Sequence, residues 1–305
     1  MPTLSPLPCP LPGATGASKG DTHRDAVGAN PAKSDKNEHF SLKPRWLKGS
    51  GEEYKTTIQY LNTQGNKTDK LSRFLEEAMD SGCCCVAVSQ SCLSTNSQNF
   101  KIAAEDMRRT FRNGWKVRLF PSVNEKDEGI VLFTRGGWSV SNNTVIIPGR
   151  LVVIQGTDPG RNPITVMVVQ GHCATSRAHF KEERKRQAKF LHKEMKSYIA
   201  SFLAVNDDNN LLVVIGDLNA ALKPQHRKNP AHGQAKEFDA MFKVTTNWMK
   251  SVGLKSAEEQ FMAYCEDPVW TYTRAGTENR AAAASKIDHA FTRTVEVPRS
   301  LGTPF

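Results

Sequence analysis

Short apolar runs alternate with amphipathic stretches from Tyr54 onward, and this pattern predicts strands interleaved with helices. The runs at 83–88 and 211–215 have apolar residues at consecutive positions, which is typical of strands that are buried on both faces. Apolar residues at helical spacing predict helices at 69–80, 100–113, 177–204 and 236–251.

The middle of the chain predicts consecutive strands. The runs at 151–156 and 164–172 are separated by Thr-Asp-Pro-Gly-Arg-Asn-Pro, whose Asp, Pro, Gly and Asn residues favour a hairpin turn. Strand–helix alternation on either side of this hairpin predicts an α/β (α+β) fold. In such a fold, two mixed β-sheets pack as a sandwich with helices on the outer faces.

The first 53 residues differ in composition from the remainder. They are rich in Pro, Gly, Ser, Asn, Asp and Lys, with little apolar periodicity. Such a segment cannot bury enough apolar surface to offset the entropy lost on ordering. We therefore predict a disordered tail at 1–53 and one folded domain at 54–305.

The formal net charge of +10 and the pI near 9.3 favour a polyanionic partner such as DNA, although a basic surface is often simply solvated. No stretch of 18 consecutive apolar residues is present, so no membrane span is predicted. The N-terminus lacks the pattern of a signal peptide. These features predict an intracellular protein, nuclear if the organism is eukaryotic.

The segment Gly216–Asn219 carries the strongest chemical signal. Asp217 and Asn219 lie two positions apart where an apolar strand ends, so on a strand they would share one face. A carboxylate beside an amide oxygen suits a hard cation such as Mg²⁺, or a water molecule directed at phosphorus. The same pair could instead stabilise only a turn.

Two further segments place polar residues on or at the end of predicted strands. His172 closes the apolar strand at 164–172, and Asp288 lies in the last predicted strand, at 286–293. Taken separately, a lone histidine or aspartate at a strand end is more often structural than catalytic.

Taken in order, these segments resemble the endonuclease/exonuclease/phosphatase superfamily, which includes exonuclease III-like nucleases and LINE-type retrotransposon endonucleases. The similarity rests on the Gly-Asp-Leu-Asn motif at 216–219, the strand ending in His172 and the Ile-Asp-His segment at 287–289. It also rests on Asn62 at the end of the first strand and on the Arg-Lys-Arg-Gln segment at 184–187. The resemblance covers about residues 55–297.

The resemblance implies a role for each residue in phosphodiester hydrolysis. Asp217, Asn219, His172 and Asp288 are the expected catalytic residues. Asn62 and Asp217 are expected to hold Mg²⁺, with Mn²⁺ as the alternative ion.

Two departures from the family pattern bear on activity. Ser91 occupies the position of the family's metal-binding glutamate, and a neutral hydroxyl is a weak Mg²⁺ ligand. The family's closing Ser-Asp-His motif is not found before Phe305, so the resemblance implies a domain without its last strand.

Three functions follow from this resemblance. The first is a DNA endonuclease of retroelement or repair type, and the second is a catalytically degenerate fragment that binds nucleic acid. The third is a phosphatase or phosphodiesterase acting on a phospholipid or inositol phosphate. For the first, five residues are candidate contacts to the nucleic acid: Arg177, Arg184, Trp270, Tyr272 and Arg274.

Overall fold

The structure of the protein is a computed structural model. The described residues are 40–42, 58–62, 68–91, 100–111, 114–123, 129–172, 178–205, 210–221, 227–228, 233–257, 272–274, 283–285 and 288–293. The chain divides into the units Met1–Lys36 and Asn37–Phe305, and every described residue lies in the second unit.

The first sheet has five strands in the order β1-β2-β3-β5-β4. Its strands are β1 (Phe40–Leu42), β2 (Ile58–Asn62), β3 (Cys85–Ser89), β4 (Lys116–Phe120) and β5 (Ile130–Thr134). β2 and β3 are parallel, whereas the other neighbouring pairs are antiparallel, so the sheet is mixed as predicted.

The second sheet has six strands in the order β11-β14-β9-β8-β7-β6. Its strands are β6 (Ser139–Ile147), β7 (Leu151–Thr157), β8 (Pro163–Gln170), β9 (Leu211–Asp217), β11 (Leu254–Ser256) and β14 (Asp288–Arg293). β7 and β8 form the predicted hairpin, and β8 runs parallel to β9. A small third sheet has the order β10-β13-β12, with β10 (Arg227–Lys228), β12 (Tyr272–Arg274) and β13 (Ala283–Ser285).

Four helices lie where the apolar periodicity predicts them, with ends that differ by at most three residues. They are α1 (Thr68–Asp80), α2 (Phe100–Phe111), α3 (Ala178–Val205) and α4 (Gly233–Ser251). Helices α1 and α2 pack with the outer face of the first sheet, and α3 and α4 with that of the second.

The apolar core lies between the two sheets. Inward-facing residues of β2, β3 and β5 pack with those of β7, β8 and β9 in one continuous cluster that includes Ile58, Ala87, Leu132, Val168 and Ile215. Alternate residues of the same strands face the helices. The two-sheet sandwich with outer helices is therefore confirmed.

The predicted tail at 1–53 lies mostly outside the described residues, so its boundary stays a prediction. Three of its residues, Phe40–Leu42, form β1 and pair antiparallel with β2. Strand β2 pairs with β3 along one of its edges. Along its other edge, β1 supplies the hydrogen-bond partners for the backbone groups of β2.

His192 on α3 is buried against Phe242 of α4, and its ring nitrogen Nδ1 has no hydrogen-bond partner among the described residues. Burial, aided by the charge of Lys196, lowers the pKa of His192 to about 4. A histidine pKa that is lower in the folded state contributes stability above its ordinary value, near 6.5, and that contribution is lost as the pH falls toward about 4.

We therefore expect the free energy of unfolding to fall by about 3 kcal/mol through this group as the pH drops from 7 to 4. In the His192→Met variant this part of the pH dependence should disappear, because the methionine does not titrate. Urea unfolding of both proteins at several pH values checks the prediction. Identical pH dependence of the two proteins would contradict it.

No helix in the described part of the chain is long and apolar enough to cross a membrane.

Candidate active site

At one end of the sandwich, the inward-facing positions of four strands change from apolar to polar residues. Along β2 the series is Ile58, Tyr60 and Asn62, and along β9 it is Val213, Ile215 and Asp217. The corresponding last positions are Ser89 on β3 and Gln170 on β8. These four polar residues are, in chain order, Asn62, Ser89, Gln170 and Asp217. Each of them lies at the carboxyl end of its strand, and the parallel pairing places Asn62 beside Ser89 and Gln170 beside Asp217. All four therefore lie at one edge of the sandwich.

Asp217 is buried at this edge, and only 1% of it is exposed. Its Oδ2 accepts a hydrogen bond from Asn62 Nδ2 at 2.6 Å, and its Oδ1 accepts one from the Asn219 amide at 2.7 Å. Two hydrogen bonds to one carboxylate, one on each oxygen, fix its orientation. The predicted pair Asn62 and Asp217, far apart in sequence, is thus in direct contact.

Tyr60 supports Asp217 from the first sheet, a role that the sequence analysis missed. The backbone amide of Asp217 donates to Tyr60 Oη at 2.8 Å, and Tyr60 Oη lies 2.5 Å from Ser89 Oγ. Both contacts are buried and join β2, β3 and β9. Tyr60 is two positions before Asn62 on the same strand face, and this spacing is the signal that could have identified it.

Asn219 has a left-handed backbone conformation, with φ of 50°. Asparagine tolerates this conformation better than most residues, but it still costs free energy and therefore marks a constrained position. Asn219 Nδ2 donates to the Gly171 carbonyl at 3.1 Å, so the side chain is directed at the end of β8. The Gly171 amide in turn donates to the Asp217 carbonyl at 2.5 Å.

His172 follows Gly171 directly and contacts α3. Arg184 Nη1 lies 3.3 Å from His172 Nδ1, and the same Arg184 nitrogen lies 3.3 Å from Gln187 Oε1. A guanidinium group only donates, so His172 Nδ1 acts as the acceptor and the ring proton is on Nε2. This contact directs an Nε2–H donor away from Arg184. Arg184, predicted as a nucleic-acid contact, is therefore tied to His172.

Arg150, in the turn between β6 and β7, is a buried cation that the sequence analysis also missed. Its Nη1 donates to the carbonyl groups of Gly171 at 2.9 Å and Gln170 at 3.3 Å, and its own carbonyl accepts from the Gln170 amide at 2.8 Å. The Gly171 carbonyl consequently receives hydrogen bonds from both Arg150 and Asn219. No local pattern in the sequence marks Arg150, since its partners come from β8.

We expect Arg150→Met to lower the free energy of unfolding by about 2 kcal/mol, because charge-assisted hydrogen bonds to buried carbonyl groups are lost. The hydrogen exchange of the Asn219 amide should also accelerate, since Gly171 is less well fixed. Chemical denaturation with exchange measured by mass spectrometry tests both effects. The control is Arg109→Met, which removes an exposed pair with Asp106 and should change stability by less than about 0.5 kcal/mol. Equal losses in the two variants would contradict the role given to Arg150.

Ser91 lies just past β3 and is 3% exposed. Its amide donates to the Gly129 carbonyl at 3.2 Å, whereas its Oγ has no hydrogen-bond partner among the described residues. The preceding residue, Gln90, has a left-handed φ of 52° and donates its amide to Gln170 Oε1 at 3.2 Å. Ser91 is therefore a buried position with an unsatisfied hydroxyl, reached through a strained backbone.

The oxygen donors at this edge bear on whether it could hold Mg²⁺. Within the described residues, no three His, Cys, Asp or Glu side chains form a group that could hold a metal. Mg²⁺ is commonly bound through one or two carboxylates, with water and substrate phosphates completing the shell. Asp217, with Asn62 beside it, fits a weakly held ion of this kind, and these two residues would hold it.

Asp288 is paired directly opposite Asp217 in the antiparallel register of β14 and β9. Its neighbour His289 is buried, and its Nε2 lies 2.7 Å from the carbonyl of Ala220, to which it donates. The His289 ring also packs 4.9 Å from that of Phe242. His289 therefore has a structural role, whereas the strand pairing brings the backbone of Asp288 to the site.

The remaining predicted nucleic-acid contacts are Arg177, Trp270, Tyr272 and Arg274. Tyr272 and Arg274 belong to β12, which pairs antiparallel with β13. Arg177 and Trp270 lie outside the described residues, so their roles stay predictions.

Comparisons with known proteins identify the fold. No protein-family model matches the chain, and no curated protein matches its sequence. Among solved structures, the AP endonuclease LMAP from Leishmania major is 12% identical with a TM-score of 0.57, and the match covers 78% of each chain. The APE2 catalytic domain from Xenopus laevis is 14% identical with a TM-score of 0.55, covering 77% of this chain and 82% of that one. An AP endonuclease from Archaeoglobus fulgidus is 13% identical with a TM-score of 0.52, covering 77% and 86%. These neighbours are members of the endonuclease/exonuclease/phosphatase superfamily, and the chain therefore has the fold of that superfamily.

Proposed function

We propose that this protein hydrolyses phosphodiester bonds in DNA at the site formed by Asn62, His172, Asp217 and Asn219, as an endonuclease of retroelement or repair type. The observation that carries the proposal is the contact of Asn62 and Asn219 with the buried carboxylate of Asp217. Two strands from different sheets converge to make it. If Asp217 and Asn219 only stabilised a turn, their hydrogen bonds would join residues of that one loop. Asn62 comes from the other sheet, so its contact with Asp217 is not explained by a turn.

The residues would divide the chemistry among them. Asp217 accepts a proton from, or orients, the water molecule that attacks phosphorus in line with the leaving oxygen. The Nε2–H group of His172 and the side-chain amide of Asn219 donate to phosphate oxygens as negative charge develops. Asn62 keeps the Asp217 carboxylate in position through its hydrogen bond. Asp288 supports this end of β9 from the neighbouring strand.

Mg²⁺, or Mn²⁺ in its place, would be held by Asp217 and Asn62. When bound, the ion supplies positive charge that stabilises the phosphorane and the leaving oxygen. Ser91 contributes a neutral hydroxyl where the family pattern has a carboxylate, so we expect weak metal binding and slow hydrolysis.

The second candidate function is a nucleic-acid-binding protein that keeps the fold without the reaction. The observation that favours it is Ser91, whose buried hydroxyl replaces the expected metal-binding glutamate. A third candidate is phosphatase or phosphodiesterase activity on an inositol phosphate or a phospholipid, for which the described residues offer no specific support.

A substrate panel separates these candidates. Supercoiled plasmid, a duplex with one abasic site, and an inositol polyphosphate are each incubated with the protein at high Mg²⁺ or in EDTA. Cleavage of DNA alone, abolished by EDTA, supports the proposal. Binding of DNA without cleavage at any Mg²⁺ concentration would indicate the degenerate protein instead. Release of phosphate from the inositol compound alone would overturn the assignment to DNA.

A further inference from the structure

The outer face of α3 carries a compact group of basic residues around an exposed phenylalanine. Arg186, Lys189 and Lys193 are exposed, and Phe190 between them is 53% exposed. In a helix, residues three or four positions apart are neighbours. Phe190 therefore has Arg186 on one side and Lys193 on the other, with Lys189 adjacent. We call these four residues the α3 outer cluster.

The opposite face of the same helix fixes the direction in which this cluster points. Ala188, Leu191, Met195 and Ile199 are buried and pack in the core against β7, β8 and β9. The α3 outer cluster therefore faces solvent, on the far side of the helix from the sheet. It is also separate from Arg184, which contacts His172 at the candidate active site.

The α3 outer cluster combines cationic side chains with an exposed aromatic ring, and this combination suits a single-stranded nucleic acid. The side chain of Arg186 is 76% exposed and pairs at 2.6 Å with Glu183. An exposed pair of this kind contributes little stability, so little is lost if Arg186 contacts a phosphate instead. Arg186 and Lys193 are seven residues apart, which spans about 10 Å along the helix. Single-stranded nucleic acid is bound by cations that follow the backbone and by aromatic rings on which bases stack.

We propose that the α3 outer cluster binds single-stranded nucleic acid, with phosphates at Arg186, Lys189 and Lys193 and a base stacked on Phe190. Duplex DNA lacks an unpaired base for the ring, so the exposed phenylalanine distinguishes the two forms. The surface is independent of the hydrolytic function proposed above, because no residue of the candidate active site belongs to it.

Fluorescence anisotropy with a labelled oligothymidine of about 12 nucleotides tests this proposal at several salt concentrations. Removing two phosphate contacts in Lys189→Gln/Lys193→Gln should lower the magnitude of the slope of log affinity against log salt by about 1.4. Phe190→Ala should weaken binding about tenfold and leave that slope unchanged. Circular dichroism confirms that each variant is folded, as expected for solvent-facing positions.

The matched control lies on the neighbouring helix α4. Lys236 and Lys243 are exposed there, and Lys236→Gln/Lys243→Gln changes the net charge by the same amount as the α3 double variant. An unchanged affinity in this control supports a local site, whereas an equal loss would show that net charge alone is responsible and overturn the proposal. An unaffected Phe190→Ala variant, or an equal response of a duplex of the same length, would overturn the assignment to single strands.

Discussion

Alanine in place of Gly216 is expected to lower the free energy of unfolding by more than about 3 kcal/mol and to remove the candidate active site with it. A Cβ at Gly216 would lie 1.9 Å from the Val169 carbonyl oxygen and 2.7 Å from its carbon. Both atoms belong to the backbone of β8, which pairs with β9 at this point, so the neighbour cannot rotate away. The two strands would have to separate where they carry Gln170 and Asp217.

The control for this variant is Gly253→Ala. The backbone of Gly253 has a positive φ of 88°, but a Cβ there would meet no atom within 4 Å. Only the backbone conformation is then unfavourable, so the loss should be about 1 kcal/mol. Urea denaturation of the two variants beside the unmodified protein gives the comparison. Similar losses at Gly216 and Gly253 would show that the close approach of β8 and β9 does not constrain the site.

Glutamate in place of Ser91 is expected to make the stability of the protein depend on Mg²⁺. Without metal, the variant should unfold more easily by about 2 kcal/mol, because a longer side chain and a second carboxylate enter a buried position. With Mg²⁺, the carboxylate gains a counter-ion, and ligand binding to the folded state raises the midpoint of thermal unfolding. The unmodified protein should show a much smaller Mg²⁺-dependent rise.

Thermal unfolding over a series of Mg²⁺ concentrations checks this prediction without requiring any catalysis. Ser91→Gln, which is nearly the same size but neutral, is the matched control and should lose stability without responding to Mg²⁺. If Ser91→Glu and Ser91→Gln respond equally, position 91 does not adjoin the metal site. In that case the comparison of Ser91 with the family's glutamate would be wrong.

Much of the fold follows from the sequence because its long elements carry strong patterns. The helices have apolar residues at helical spacing, and the strands β3, β7, β8 and β9 have continuous apolar runs. Each of these patterns is long enough to predict its element from the local sequence alone. The short strands β1, β10, β11 and β13 were not predicted, since two or three residues carry no periodicity and depend on a partner strand. The first half of β6, Ser139–Asn143, is mostly polar and exposed at a sheet edge, so it also lacks the apolar periodicity from which a strand is predicted.

The candidate active site was predictable only in part, because some of its contacts depend on residues that are distant in sequence. Asp217 and His172 are noticeable because each ends or follows an apolar strand, but these two and Asn62 were selected together through the resemblance to the superfamily. The structure brings Asn62 and Asp217 into contact. Tyr60 and Arg150 act through contacts with residues distant in sequence; the spacing of Tyr60 from Asn62 marks its strand face, whereas no local pattern marks Arg150. The roles of all these residues in catalysis stay predictions.

Asp217 is the residue on which the proposed hydrolysis depends most directly, and single-turnover nicking of a supercoiled plasmid tests its role. The rate is measured with protein in excess over DNA, as a function of Mg²⁺, for the unmodified protein, Asp217→Asn and Asp158→Asn. Asp158 is also a buried carboxylate, but it caps the β7–β8 hairpin turn through Asn162. We predict slow nicking that rises with Mg²⁺, is retained in Asp158→Asn and falls by about 10²-fold or more in Asp217→Asn. Nicking by folded Asp217→Asn at the unmodified rate, or undiminished nicking in EDTA, would contradict the account.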